Sequence, residues 1–88
     1  MNMPRGKQAE SGRFARAVSA EIRASMGRQR LNGVQLAGKA RMSRDYLGKR
    51  LRNEAPFTLN DIEAICKALG EDLGEFLIVS VRNTGSSL

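Results

Sequence analysis

Two short helical segments, about 33–40 and 44–53, follow one another with only three or four residues between them. Helices joined so tightly must cross and touch near the joint, and this constrains the fold more than any other feature of the chain. Asn32-Gly33 breaks the preceding pattern, and Asn32 can cap the first segment. Val34, Leu36, Ala37 and Ala40 supply its apolar positions, with Ala37 small where the two helices meet. Ser43 is a suitable N-cap for the second segment, whose apolar positions are Tyr46, Leu47 and Leu51. Leu36, Ala40, Met42, Leu47 and Leu51 can pin that helix from within. Ser43, Arg44, Asp45, Gly48, Lys49 and Arg52 are then left to face outward.

The flanking sequence supplies further helices. Phe14, Val18, Ile22 and Met26 recur every four residues, which predicts a first helix over about 12–30, with Ser11 as its cap. Pro56 marks a turn after the second short segment. Thr58, with Asp61 three residues on, resembles a capping box. The helix it opens carries Leu59, Ile62, Ile65, Cys66 and Leu69 and stops at Gly70. Leu73, Phe76 and Leu77 suggest a short fifth helix. Residues 76–81 are also apolar and β-branched enough to read as a short C-terminal strand. The expected organisation is a basic N-terminal arm over 1–10, one domain over 11–78 and a C-terminal tail over 79–88.

Composition narrows the function. The 88 residues suffice for one domain, with no room for a deep enzyme cleft. Met1 to Arg52 holds 13 basic and 3 acidic residues, whereas Asn53 to Leu88 holds 2 basic and 6 acidic. A basic half set against an acidic half points to a polyanionic partner; a solvated arginine-rich surface is the plainer reading. There is no His, and Cys66 is the single cysteine. Cys66 therefore reads as a small core residue, and neither a catalytic centre nor a metal site or cofactor is expected. No apolar run reaches the length of a membrane span, and residues 1–7 lack a secretory apolar stretch, so a cytoplasmic protein is expected.

Several runs together carry a family resemblance: Leu36-Ala37, then Met42-Ser43-Arg44-Asp45-Tyr46-Leu47, Pro56-Phe57-Thr58-Leu59, Ile65-Cys66-Lys67-Ala68-Leu69-Gly70 and Leu73-Gly74-Glu75-Phe76-Leu77. In that order and spacing they resemble the Cro/phage-repressor helix-turn-helix family over about residues 14–78. The run Tyr46 to Arg52 is similar to actinobacterial and actinophage members, including immunity repressors. The resemblance implies an all-α, five-helix, lambda-repressor-like domain whose third helix enters the major groove of double-stranded DNA. Carried onto this sequence, it implies that Arg44, Asp45 and Lys49 read bases. It places Asn32, Ser43 and Arg52 near phosphates, where the backbone N–H of Gly33 could also serve; the Tyr46 hydroxyl could reach a phosphate, with filling of the domain edge as the equal alternative. Arginine and lysine can address guanine O6 and N7, and aspartate can accept from cytosine N4. Arg5 and Lys7 of the arm could reach the minor groove.

The chain departs from the family pattern at three places. Gly33 stands where the family often has Gln, and Arg41 where its turn usually has Gly. The inner apolar residue of the third helix is displaced from Arg50 to Leu51, which bears on how that helix is rotated. The implied function is a transcriptional regulator, a repressor or Cro-like protein, acting as a homodimer through the C-terminal segment or as a monomer. The alternative is a protein-interaction module such as an antitoxin. RNA binding is weaker, because one Tyr, three Phe and no Trp provide few stacking platforms.

Overall fold

Side-chain caps open four of the five helices in the computed structural model, which describes residues 9–84. The helices are α1 (Arg13–Gln29), α2 (Gly33–Ala40), α3 (Arg44–Leu51), α4 (Leu59–Leu69) and α5 (Leu73–Asn83). No strand is present among the described residues. Arg5 and Lys7 of the expected arm lie outside them.

The local signals act as their chemistry dictates. Asn32 Oδ1 accepts the Gln35 N–H at 2.8 Å, and Gln35 Oε1 accepts the Asn32 N–H at 2.9 Å, closing a capping box. Ser43 caps α3 through the Tyr46 N–H at 3.0 Å. Thr58 and Asp61 form a second reciprocal box on α4. Asp72 caps α5 by accepting the Glu75 N–H. Gly70 ends α4 at φ 69°, and the next N–H, that of Glu71, reaches back to the Cys66 carbonyl at 2.9 Å.

Ser11 does not cap α1. The N-cap is Gly12, without a side-chain cap. Ser11 is instead buried, and its N–H donates to the Asn53 carbonyl at 3.2 Å. The ambiguous segment 76–81 is helix, a continuation of α5. Phe76 and Ser80, one turn apart, are its buried residues, and the Ser80 hydroxyl donates to the Phe76 carbonyl at 2.9 Å, so this polar group is satisfied inside the helix.

The core is shared by all five helices. Ile22 of α1, Leu36 of α2 and Ile65 of α4 are 0% exposed. Val18, Met26, Leu47, Ile62, Leu69 and Phe76 complete it. Each such side chain contributes about 1.5–3 kcal/mol through burial. Phe14, at the start of the α1 stripe, stays substantially exposed instead. Cys66 is buried among these residues, which pushes its thiol up to about 11 and leaves it inert at neutral pH. The core fixes α3 between α1 and α2, so its position depends on three parts of the chain.

Candidate nucleic-acid interface

The α2–α3 turn begins at Arg41, which has φ 59°. A non-glycine residue in this region carries a backbone cost. The geometry still closes α2 efficiently: the Met42 N–H donates to the Ala37 carbonyl at 2.9 Å and the Arg41 N–H to Gly38 at 3.3 Å. Arg41 thus adopts the conformation that glycine would take at this turn, and Ala37 is buried in the α2–α3 pair.

Leu47 and Arg50 are the buried residues of α3, with Leu51 partly buried against the core. Arg50 occupies an inner position where an apolar residue would be the simpler choice. It can do so because its surroundings are built for a cation. Its guanidinium carbon lies 3.5 Å from the centroid of the Tyr46 ring. Its Nε is 3.9 Å from Asp61 Oδ2, and Nη1 donates to the Tyr46 carbonyl at 3.3 Å. The Tyr46 hydroxyl donates to the same Asp61 oxygen at 2.6 Å. That bond, with burial second, holds the Tyr46 hydroxyl above its ordinary pKa. Its single proton is committed to Asp61, so a phosphate contact through this hydroxyl would require breaking an internal bond.

The opposite side of α3 is outward. Arg44, Asp45 and Lys49 are exposed, and their side chains make no hydrogen bond or ion pair to other described residues. Arg52, just past the helix, is also exposed, but its Nε donates to Glu54 Oε2 at 2.6 Å. That hydrogen bond, helped by the Arg52 and Lys49 charges, lowers the Glu54 pKa and keeps it ionised. Asn32 and Ser43 lie at the helix starts, with their side-chain oxygens used in capping. The first N–H groups of α2, at Gly33 and Val34, and of α3, at Arg44 and Asp45, have no intrahelical acceptor, as at any helix start.

A further set of residues has no assignment from sequence. The end of α3 is tied to α1 by Arg23, whose Nη1 donates to the Leu51 carbonyl at 2.6 Å, and by Ser19, whose hydroxyl donates to Asn53 Oδ1 at 2.6 Å. Asn53 has φ 66°, a conformation its short amide side chain tolerates better than most. The sequence offers one clue, an asparagine at the end of the predicted third helix, which the structure places just past the C-cap Arg52. The pairing with Ser19, 34 residues away, has no local signature.

Among the described residues, no group of three or more His, Cys, Asp or Glu could hold a metal ion, and no helix is long and apolar enough to cross a membrane.

No protein-family model matches the chain, and no curated protein sequence matches it. Solved structures do share its fold. A crystal structure of the clp gene regulator ClgR from Corynebacterium glutamicum superposes with a TM-score of 0.75 at 22% identity, covering 86% of this chain and 80% of that one. A second ClgR structure gives 0.72 at 23% identity, over 80% and 91% of the two chains. The restriction-modification controller protein C.Esp1396I gives 0.70 at 26% identity, over 84% of this chain and 99% of its own. The all-α architecture is therefore the fold of these regulator and controller proteins.

Proposed function

We propose that this protein is a sequence-specific double-stranded DNA-binding transcription regulator that places α3 in the major groove. The observation carrying this reading is the two-sidedness of α3: Leu47 and Arg50 hold its inner side, while Arg44, Asp45 and Lys49 are exposed and make no side-chain hydrogen bond or ion pair to other described residues. A short helix fixed from behind, with charged groups in front, has the arrangement that major-groove readout requires. Its structural neighbours, a gene regulator and a controller protein, favour the same class.

In this reading Arg44 takes guanine O6 and N7, Asp45 accepts from cytosine N4, and Lys49 addresses an acceptor one turn further on. The backbone N–H of Gly33, with Asn32 beside it, meets a phosphate at the start of α2, replacing the side chain that Gly33 lacks. Ser43 does the same at α3. Arg5 and Lys7 would add contacts from the arm. Repression follows if the bound protein covers a promoter, which suits a phage-type or Cro-like role.

The dimeric form of this proposal draws support from the apolar surface. Phe14, Val18, Phe57, Leu59 and Leu77 line a cleft of about 160 Å³. Leu59 is 80% exposed and Ile78 of α5 is 47% exposed. A second copy bound there, through the C-terminal helix, would place two recognition helices about 34 Å apart on a near-palindromic site. The same surface is what an antitoxin-like role would use for a protein partner.

Selection of binding sites from random duplex DNA at near-physiological salt tests the proposal. The expected result is an enriched motif; two related half-sites identify the dimer and one unpaired motif the monomer. Salt-sensitive binding with no enriched motif overturns sequence-specific readout and leaves the interaction-module reading.

A further inference from the structure

Gly48 lies in the second turn of an eight-residue helix, where glycine is among the least helix-favouring choices. Its φ is not positive, so the backbone does not require it. A Cβ built at Gly48 would lie 3.0 Å from Arg52 Nη1 and 3.9 Å from the Arg52 guanidinium carbon. Arg52 therefore turns back along the helix and lays its guanidinium over the position where residue 48 would carry a side chain. This is the direction in which helical side chains naturally lean, toward the N-terminus.

The stripe to which Arg52 belongs is the outward one. With about 100° between successive residues, positions 45, 49 and 52 fall on one face, opposite Leu47 and Arg50. Glu54 then fixes the group: its carboxylate receives the Arg52 Nε at 2.6 Å, and neither Nη1 nor Nη2 donates to another described residue. An ionised carboxylate beside the guanidinium repels a fully charged phosphate more strongly than the neutral acceptor edge of a base, whose atoms carry only partial negative charge.

We infer that Arg52 is a base-reading residue of α3: its guanidinium occupies the space left by Gly48 and, oriented by Glu54, addresses paired acceptors such as guanine O6 and N7 in the major groove instead of the phosphate backbone. The inference rests on the reading of α3 as the recognition helix.

Site selection with the full chain tests it, in parallel arms for wild type, Arg52→Ala, Arg52→Lys and Glu54→Gln, with random duplex as reference and thermal melting as a check on folding. In the wild-type motif, one G·C pair per site depends on Arg52. In Arg52→Ala, preference at that pair falls between about fivefold and a hundredfold while preference at the other pairs persists. Arg52→Lys keeps its affinity for random DNA within about twofold but shows a reduced preference at that pair, because an ammonium addresses O6 and N7 less rigidly than the two-pronged guanidinium. Glu54→Gln tightens binding to random DNA and weakens the same preference. Equal losses on selected and random DNA in Arg52→Ala, restored by lysine, overturn the inference in favour of a phosphate contact. An unchanged motif and affinity in Arg52→Ala also overturns it. Absence of any motif in the wild-type arm overturns the recognition-helix reading itself, a failure visible before any variant is compared.

Discussion

The Arg50 guanidinium stacks on the Tyr46 ring, its carbon 3.5 Å from the ring centroid, and the pair shares one carboxylate oxygen of Asp61 on α4. Three polar groups thus close the inner side of α3 where an apolar contact would be the simpler solution. The arrangement sets the rotation of α3, because the stacked ring and the forked cation both have directional preferences. Arg50→Ala is expected to cost roughly 2–3 kcal/mol, since it leaves Asp61 partly buried with no cation beside it. Arg50→Lys should recover less than half of that. Urea unfolding measures both, and an unaltered midpoint for Arg50→Ala would show that the stack contributes nothing to stability.

The same cluster predicts a pH dependence. The Tyr46 pKa is raised above 10.0 in the folded protein, chiefly by its hydrogen bond to Asp61. Its contribution to stability is fully present below the unfolded value. It is lost as pH rises through the folded value, because the unfolded chain releases the proton first. Melting temperature should therefore fall as pH climbs beyond about 10, and the fall should be shallower in Tyr46→Phe. At neutral pH Tyr46→Phe loses the Asp61 hydrogen bond, about 1 kcal/mol. Parallel alkaline limbs in the two proteins would contradict the assignment.

Two residues with positive φ respond in opposite directions. Arg41, at φ 59°, makes no side-chain hydrogen bond or ion pair to the described residues that would justify its conformation, and Arg41→Gly should stabilise by about 0.5–1 kcal/mol. Asn53, at φ 66°, also accepts the Ser19 hydroxyl through its side chain. Asn53→Ala should cost about 1–2 kcal/mol by combining backbone strain with the lost bond. Asn53→Gly should cost less than that, because it relieves the strain alone. Calorimetric melting of the three variants gives the order directly; Asn53→Gly melting below Asn53→Ala would exclude strain as the cause.

Arg44→Ala separates base reading from general attraction. Arg44 is exposed and makes no internal bond among the described residues, so its removal should leave the melting temperature within about a degree or two of wild type. Binding to the selected site should weaken by about 1–3 kcal/mol, with base preference relaxed at one position. Fluorescence anisotropy on selected and random duplexes distinguishes the two effects. Equal weakening on both would assign Arg44 to the backbone.

Much of the fold was legible because its signals are local. Asn32, Ser43 and Thr58 satisfy N–H groups three residues ahead of them, and Gly70 adopts the left-handed conformation that ends a helix. Such bonds lie within one turn of chain, so residue type and spacing suffice to place them. The segment carrying the candidate site, Gly33 to Leu51, is delimited by these boundaries. The identity of residues 76–81 was not legible in this way, since an apolar β-branched run suits strand and helix alike; the burial of Phe76 and Ser80 on one helical face decided it.

The side-chain arrangement within the site belongs to the tertiary structure. Charge pattern alone placed Arg50 and Arg52 among many arginines, and their different surroundings come from residues on other elements or beyond the helix end. Arg50 is turned inward because Asp61, on α4, and the Tyr46 ring together accommodate a cation. Arg52 is turned back over Gly48 because Glu54 holds it there. Asn53 meets Ser19 only because α1 passes the end of α3. Capping and periodicity act within a few residues, so the order of amino acids was enough to locate α1 to α4 and the buried centre of their apolar stripes, though not their ends, where Phe14, Val34 and Leu59 are exposed. The outward side of α3 was legible too, but the burial of Arg50 and the tie of Arg52 to Glu54 fell to packing, because they depend on partners that helical periodicity does not specify.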